Sequence, residues 1–218
     1  MSNKYDFGVR VQNPHWSKIT IEKLLEQSKK QKNTTTLIYA ALECRNIIER
    51  LEFETIVMSA NSRFTIEDFN DIKKKHGIQK ANMKYNALKF KYQTFSEAFS
   101  QVVKPELTLK AFNYSKSEKV KANLSQYLHI YSRTDKELEF ESSFIQQGFT
   151  EIQSAIDFLL EYFSIDENGY YFGILDFETL SESLRNEFAS WLNSSEQTIE
   201  GLTERLKRIV KCDNNERN

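Results

Sequence analysis

Glycine and proline are scarce: six Gly and two Pro stand in 218 residues, against the roughly 7% and 5% of an average protein. Strands joined by tight turns need both residues, Gly for positive φ and Pro for a preset turn. A sheet-rich fold is therefore disfavoured and long helices are expected. Cysteine is limited to Cys44 and Cys212. Two isolated thiols make neither a disulfide framework nor a metal pattern, so a reducing, cytoplasmic setting is expected. The three histidines are His15, His76 and His129. None sits at the Glu-x-x-His spacing of a di-iron bundle, so no metal site and no cofactor are expected. Met1 to Arg10 lacks the apolar core of a signal peptide. No apolar run approaches the roughly 18 residues a membrane span requires, so no membrane contact is expected. Nor does any nucleophile–base or phosphate-loop motif stand out.

What the chain has is aromatic mass and sorted charge. Sixteen Phe and ten Tyr can fill a core, and a chain of this length can bury one without staples. The formal net charge of −1 hides two blocks. Residues 72 to 121 hold twelve Lys against three Glu, whereas residues 137 to 200 hold fourteen acidic residues against Arg185. A local field of this kind can recruit a partner even when the total charge cannot.

Apolar spacing places the helices. Leu37, Ala41, Cys44, Ile48, Leu51, Thr55 and Met58 recur at steps of four and three, one seam on a helix from about Thr34 to Ala60, widened by Ile38, Leu42 and Ile56. Thr34 to Thr36 offer its N-cap. Capping boxes, in which a hydroxyl and an acid three residues on satisfy each other's backbone donors, mark further starts. Thr65–Asp68 opens a helix ending near Gly77. Ser115–Glu118 opens one ending near Tyr131, and Thr134–Glu137 a long one reaching Phe163. Residues 80 to 103 read as one helix with Leu88, Tyr92, Phe95, Phe99 and Val102 on a face. A last helical region from Phe177 divides at the Ser194–Gln197 box and ends on the seam Ile199, Leu202, Leu206, Ile209. The stretch from Pro105 to Tyr114 reads as loop. Asp166-Glu-Asn-Gly169, flanked by aromatics, admits one small β-hairpin near 165–175. The expected fold is an all-α bundle of five or more helices, one domain over 1–212 with a disordered tail at 213–218.

Between Ile72 and Ser96 stand Lys73, Lys74, Lys75, Lys80, Lys84, Lys89 and Lys91 with no acid, and with Tyr85, Phe90 and Tyr92 among them. Lysine neutralises phosphate and exposed aromatics stack on unpaired bases, so these seven are the candidate nucleic-acid contacts. The competing reading pairs the same lysines with the acidic helices of this chain or of a second copy. His15 reads as a loop residue and His76 as the end of a helix, where the dipole favours a cation. His129 points away from the apolar face of Leu124, Tyr127, Leu128 and Tyr131, near Arg133, and is a candidate acid or base. Arg45 and Asn46 flank the long seam, with Glu49 one turn on.

The segment Ala40-Ala41-Leu42-Glu43-Cys44-Arg45-Asn46-Ile47-Ile48-Glu49-Arg50-Leu51 resembles the first long helix of HEPN-type proteins, helical bundles of bacterial and archaeal toxin–antitoxin and antiviral systems. Active members carry an Arg, often followed by a polar residue, a few positions before a His on one helix. Arg45-Asn46 matches the front of that motif. The back is absent, since positions 50 to 52 are Arg50, Leu51 and Glu52. Arg10 precedes His15 at motif spacing, but Pro14 intervenes. The resemblance implies a non-catalytic or degenerate HEPN-like bundle that assembles with protein or RNA partners and forms a homodimer. One alternative is a metal-independent ribonuclease using Arg45 and His129. Another is a structural subunit without nucleic-acid contact.

Overall fold

The computed structural model describes residues 14–60, 63–103, 112–161, 163–166, 169–172, 180–195 and 198–216. The architecture is all-α. Its helices are α1 (Pro14–Gln31), α2 (Thr34–Ala60), α3 (Ile66–Ile72), α4 (Gly77–Lys84), α5 (Asn86–Val103), α6 (Tyr114–Leu128), α7 (Asp135–Leu138), α8 (Ser143–Leu160), α9 (Glu182–Asn193) and α10 (Ile199–Glu216), with a 3-10 turn at Ile130–Ser132. Two four-residue strands, β1 (Phe163–Asp166) and β2 (Gly169–Phe172), pair antiparallel with Phe163 opposite Phe172. The expected loop at 105–114 lies largely outside the described residues, as does Phe177.

The chain divides into two compact units, neither continuous in sequence. One comprises Gly8–Glu52 and Asn113–Glu161, the other chiefly Phe53–Phe112 and Tyr162–Asn218. Helix α2 contributes to both, and residues 51–57 are buried on every face of it.

In the first unit the predicted seam is the core. Leu37, Ala41, Cys44, Ile48 and Leu51 are buried with Leu124, Tyr127, Ile145, Ile152, Ile156 and Leu159. Each such large side chain contributes about 1.5–3 kcal/mol relative to exposure. Leu42, expected to widen the seam, is instead 38% exposed. Helix α1 was not foreseen. It starts at Pro14, whose missing N–H and fixed φ suit the first helical position, so His15 stands in its first turn rather than in a loop. The cap of α2 is Asn33, whose Oδ1 accepts from Thr35 N at 2.9 Å, not one of the threonines. Likewise α6 is capped by Asn113, which accepts from Lys116 N, two residues ahead of the expected Ser115 box. The Thr134–Glu137 box is present but opens only the one-turn α7. The chain then leaves helical geometry at Glu139 (ψ 142°), and Ser142 caps α8 afresh by accepting from Ile145 N at 3.2 Å. The expected single helix from 134 to 163 is therefore two, because Ser142 Oγ also donates to Glu137 O at 2.5 Å and ties the break.

In the second unit α10 packs on α5 and α9. Tyr92, Phe95, Phe188, Trp191, Leu202 and Leu206 form one buried cluster, and Phe53, Ile56, Phe64, Ala81 and Tyr85 another. The Thr65–Asp68 capping box is complete and opens α3. The expected helix over 80–103 is broken at Tyr85 (φ −99°, ψ 13°). Ser194 closes α9 as its C-cap, donating to Trp191 O at 2.9 Å, instead of opening the next helix. Helix α10 runs on to Glu216, past the point where disorder was expected; its Asp213 accepts from Ser181 Oγ at 2.5 Å.

Candidate functional site

Arg45 and Asn46 lie on α2, both half-buried. The Arg45 guanidinium is engaged on two sides: Nε donates to Glu49 Oε1 at 2.8 Å and Nη1 to Ser125 Oγ at 2.5 Å. Its side chain is 33% exposed. Ser125 belongs to α6, one turn before His129, so Arg45 reaches the helix that His129 terminates. His129 occupies the C-cap of α6, exposed, with its ring edge-on to Tyr131 at 6.0 Å. Among the described residues its ring makes no hydrogen bond. Arg133 does not serve it: Nη1 donates to Glu137 at 3.1 Å and the guanidinium lies 4.2 Å over the Phe144 ring.

The seven lysines between Ile72 and Ser96 do not form one face. Lys89 and Lys91 are buried at 6% and 9% exposure. Lys89 Nζ donates to Asn82 Oδ1 at 3.1 Å, and Lys91 Nζ sits 3.8 Å over the Trp191 ring. Their alkyl stems let them enter an aromatic core while the charge finds polar or π partners. Lys84 pairs with Asp68. Lys74 pairs with Asp71 at 2.6 Å, both exposed. Lys73 lies 4.2 Å over the Phe69 ring, and Lys75 and Lys80 are exposed. A cleft of about 340 Å³ between α3 and α4 is lined by Asp68, Asp71, Lys74, Gly77, Lys80 and Lys84. His76, expected at a helix end, is in fact the residue before α4, left-handed at φ 59°, with Nδ1 3.1 Å from Gln79 Oε1. A helix start disfavours a cation, so the stated electrostatic role does not apply there.

Two buried charge networks escaped the sequence reading. In the first, Asp68 accepts from Tyr85 Oη at 2.5 Å, from Thr65 N at 3.0 Å and from Lys84. Burial alone would raise its carboxyl; the hydrogen bonds from Lys84, Tyr85 and Thr65 outweigh it and hold the group at about 2. In the second, Glu52, fully buried, accepts from Ser117 Oγ and, at 2.5 Å, from Lys121 Nζ. Lys121 also pairs with Glu118 at 2.6 Å. Burial pushes Glu52 above the usual carboxylate range, against the pull of Lys121 and Ser117. The one available signal was Glu52 itself, an acid inside the run Leu51-Glu52-Phe53. Among the described residues no three His, Cys, Asp or Glu side chains converge as metal ligands, and no helix is long and apolar enough to cross a membrane. Compared with known proteins, the chain matches no family model, no curated sequence and no solved structure.

Proposed function

We propose that this chain is a non-catalytic, HEPN-like helical bundle that works by assembly with a protein or RNA partner in the cytoplasm, in the setting of bacterial defence or a toxin–antitoxin pair. The observation that carries this reading is the state of Arg45. The guanidinium that would stabilise phosphate charge is engaged by Glu49 and Ser125, and the positions that would supply the proton-transferring His hold Arg50, Leu51 and Glu52. A bundle in this condition retains surfaces for binding without an acid–base pair. Self-association as a two-fold dimer belongs to the same proposal, because a chain with a basic and an acidic block can satisfy both against a second copy. Light scattering at low and high salt tests that part; a monomeric mass at both removes it.

The ribonuclease alternative draws on one feature, the Arg45–Ser125 bond, which brings Arg45 onto α6 one turn before His129. The two readings separate in a single assay. The protein is incubated with single-stranded RNA in the presence of a chelator, beside Arg45→Ala and His129→Ala. The binding reading expects intact RNA in all three tubes. Cleavage that disappears in both variants would overturn it and establish the alternative. The third reading, a structural subunit, expects no complex with RNA at any salt concentration.

A further inference from the structure

We infer that the α3–α4 hairpin is the nucleic-acid contact of this protein, and that it binds the phosphate backbone of a single strand without reading sequence. The inference rests on the RNA arm of the reading above and narrows it to one surface. The stretch from Ile72 to Ser96 supplies seven of the basic block's lysines, but Lys89 and Lys91 are inside the fold and Lys84 is tied to Asp68. Four remain on the hairpin: Lys73, Lys74 and Lys75 where α3 ends, and Lys80 on α4, all exposed. From Lys73 to Lys84 no acid occurs in the sequence.

Of the three carboxylates on the hairpin, Glu67 stands exposed in the first turn of α3, at the opposite end of that helix from Lys73–Lys75, and the other two do not cancel this field. Asp68 is buried and compensated by Lys84 and Tyr85. Asp71 offsets Lys74 alone. Among the described residues Lys73, Lys75 and Lys80 have no carboxylate partner; Lys73 touches only Asn70 at 3.4 Å and the Phe69 ring. The cleft between the helices is about 340 Å³ and is floored by Gly77, where a Cβ would lie 2.2 Å from Asp71 O. Lys74, Lys80 and Lys84 line this cleft together with Asp68 and Asp71; Lys74 and Lys84 are paired with those two acids, which leaves Lys80 as the lysine of the cleft without a carboxylate partner among the described residues.

The residue type decides the class of partner. Lysine presents a compact charge on a flexible stem, whereas bidentate recognition of a particular phosphate or carboxylate favours Arg. The hairpin from Ile66 to Lys84 contains no Arg. Flexible point charges on a short turn suit a pliable polyanion held by counterion release. A bilayer surface would reward a belt of aromatic residues as well; beyond Phe69, which packs on Phe53 at 5.9 Å, the segment has none.

The test is fluorescence anisotropy with labelled oligouridylate and oligothymidylate of about 20 nucleotides, long enough to span one binding surface. Salt runs from about 50 to 200 mM, the range over which phosphate contacts weaken steeply. The variant Lys73→Gln/Lys74→Gln/Lys75→Gln/Lys80→Gln is compared with Lys23→Gln/Lys30→Gln/Lys136→Gln/Lys207→Gln, an equal charge change at exposed positions elsewhere. Circular dichroism confirms that both fold. We expect the wild type and the control to bind both oligomers alike. The hairpin variant should lose at least about tenfold in affinity, and its log–log salt slope should flatten by about 0.7 per phosphate contact removed. Equal losses in both variants, or none in the hairpin variant, overturn the inference while leaving the RNA reading in place. No binding by the wild type at low salt overturns both. Hairpin-dependent sedimentation with phosphatidylserine vesicles, without oligomer binding, replaces the nucleic acid by a membrane and overturns it too.

Discussion

Lys121 Nζ lies 2.5 Å from Glu52 Oε2, with the lysine side chain 10% exposed and the glutamate not exposed at all. An ion pair so far from water does not gain much over two well-packed apolar residues, but removing one partner strands the other. Here Ser117 supplies the second hydrogen bond to the carboxylate, and Glu118 the second partner of the ammonium. The pair holds α2 to α6 within the first unit.

Its loss should be asymmetric. Lys121→Met should cost about 3 kcal/mol in urea denaturation, because Glu52 is left buried with its charge uncompensated. Glu52→Gln should cost about 1 kcal/mol, since the amide still meets Ser117 and Lys121 keeps Glu118. The double variant should recover at least half of the larger loss. A Lys121→Met protein as stable as wild type would show that Glu52 is not carried as a buried anion.

Acid titration should single out Asp68. Its folded-state value of about 2 lies below the ordinary 3.8, so ionised Asp68 favours the folded state. That contribution is fully present above about pH 4 and is lost as pH falls through the folded value near 2. The shift corresponds to about 2 kcal/mol at most; Lys84 is 59% exposed, so water screens its attraction to Asp68, and about 1 kcal/mol is expected. Glu52 moves with the opposite sign: a raised carboxyl favours folding at low pH and loses that advantage as pH rises through its folded value. Asp68→Asn should therefore flatten the loss of stability between pH 4 and 2, and Glu52→Gln should not. Stability measured by urea melts across that window decides, and an unchanged acid limb in Asp68→Asn contradicts the network.

The parts of this fold legible in the sequence are those decided locally. The four–three seam of α2, the aromatic face of α5 and the Thr65 and Thr134 capping boxes follow from spacing alone, and each is where the spacing puts it. The breaks at Tyr85 and Glu139 were not legible. Tyr85 Oη is drawn to Asp68, 17 positions away, and Ser142 caps α8 in place of a continuing helix. At the candidate site, Arg45 was visible but its partner Ser125 was not, because 80 positions separate them. The lysine block was visible as charge; that Lys89 and Lys91 turn inward depends on Asn82 and Trp191, which no local pattern announces.

Gly77 should tolerate no side chain. A Cβ there would lie 2.2 Å from Asp71 O and 2.4 Å from Ile72 O, both backbone atoms at the end of α3. Gly77→Ala must push α3 and α4 apart and should cost about 2–3 kcal/mol, despite the gain in helix propensity. Gly148→Ala meets only side chains, Tyr127 at 2.9 Å and Leu37 at 3.0 Å, and should cost about 1 kcal/mol. His76→Gly removes a left-handed non-glycine residue and should be neutral or stabilising by up to about 1 kcal/mol. Thermal or urea melts of the three variants check the order; a neutral Gly77→Ala would mean that the two helices are not in contact as described.

The two thiols should differ in reactivity by orders of magnitude. Cys44 lies in the α2 seam with no exposure, and burial, aided by the neighbouring Glu43 carboxylate, pushes its thiol up to about 12. The thiolate is the reactive species, and at pH 8 about one molecule in ten thousand would carry it even if reagent could enter. Cys212 is exposed on α10. Ellman's reagent at pH 8 should therefore titrate one thiol quickly in the native protein and a second only in denaturant. Cys212→Ser should abolish the fast phase, and the remaining slow phase should follow the rate at which the seam opens. Two equal fast thiols in the native protein would place Cys44 at the surface and refute the packing of α2 on which the first unit is built.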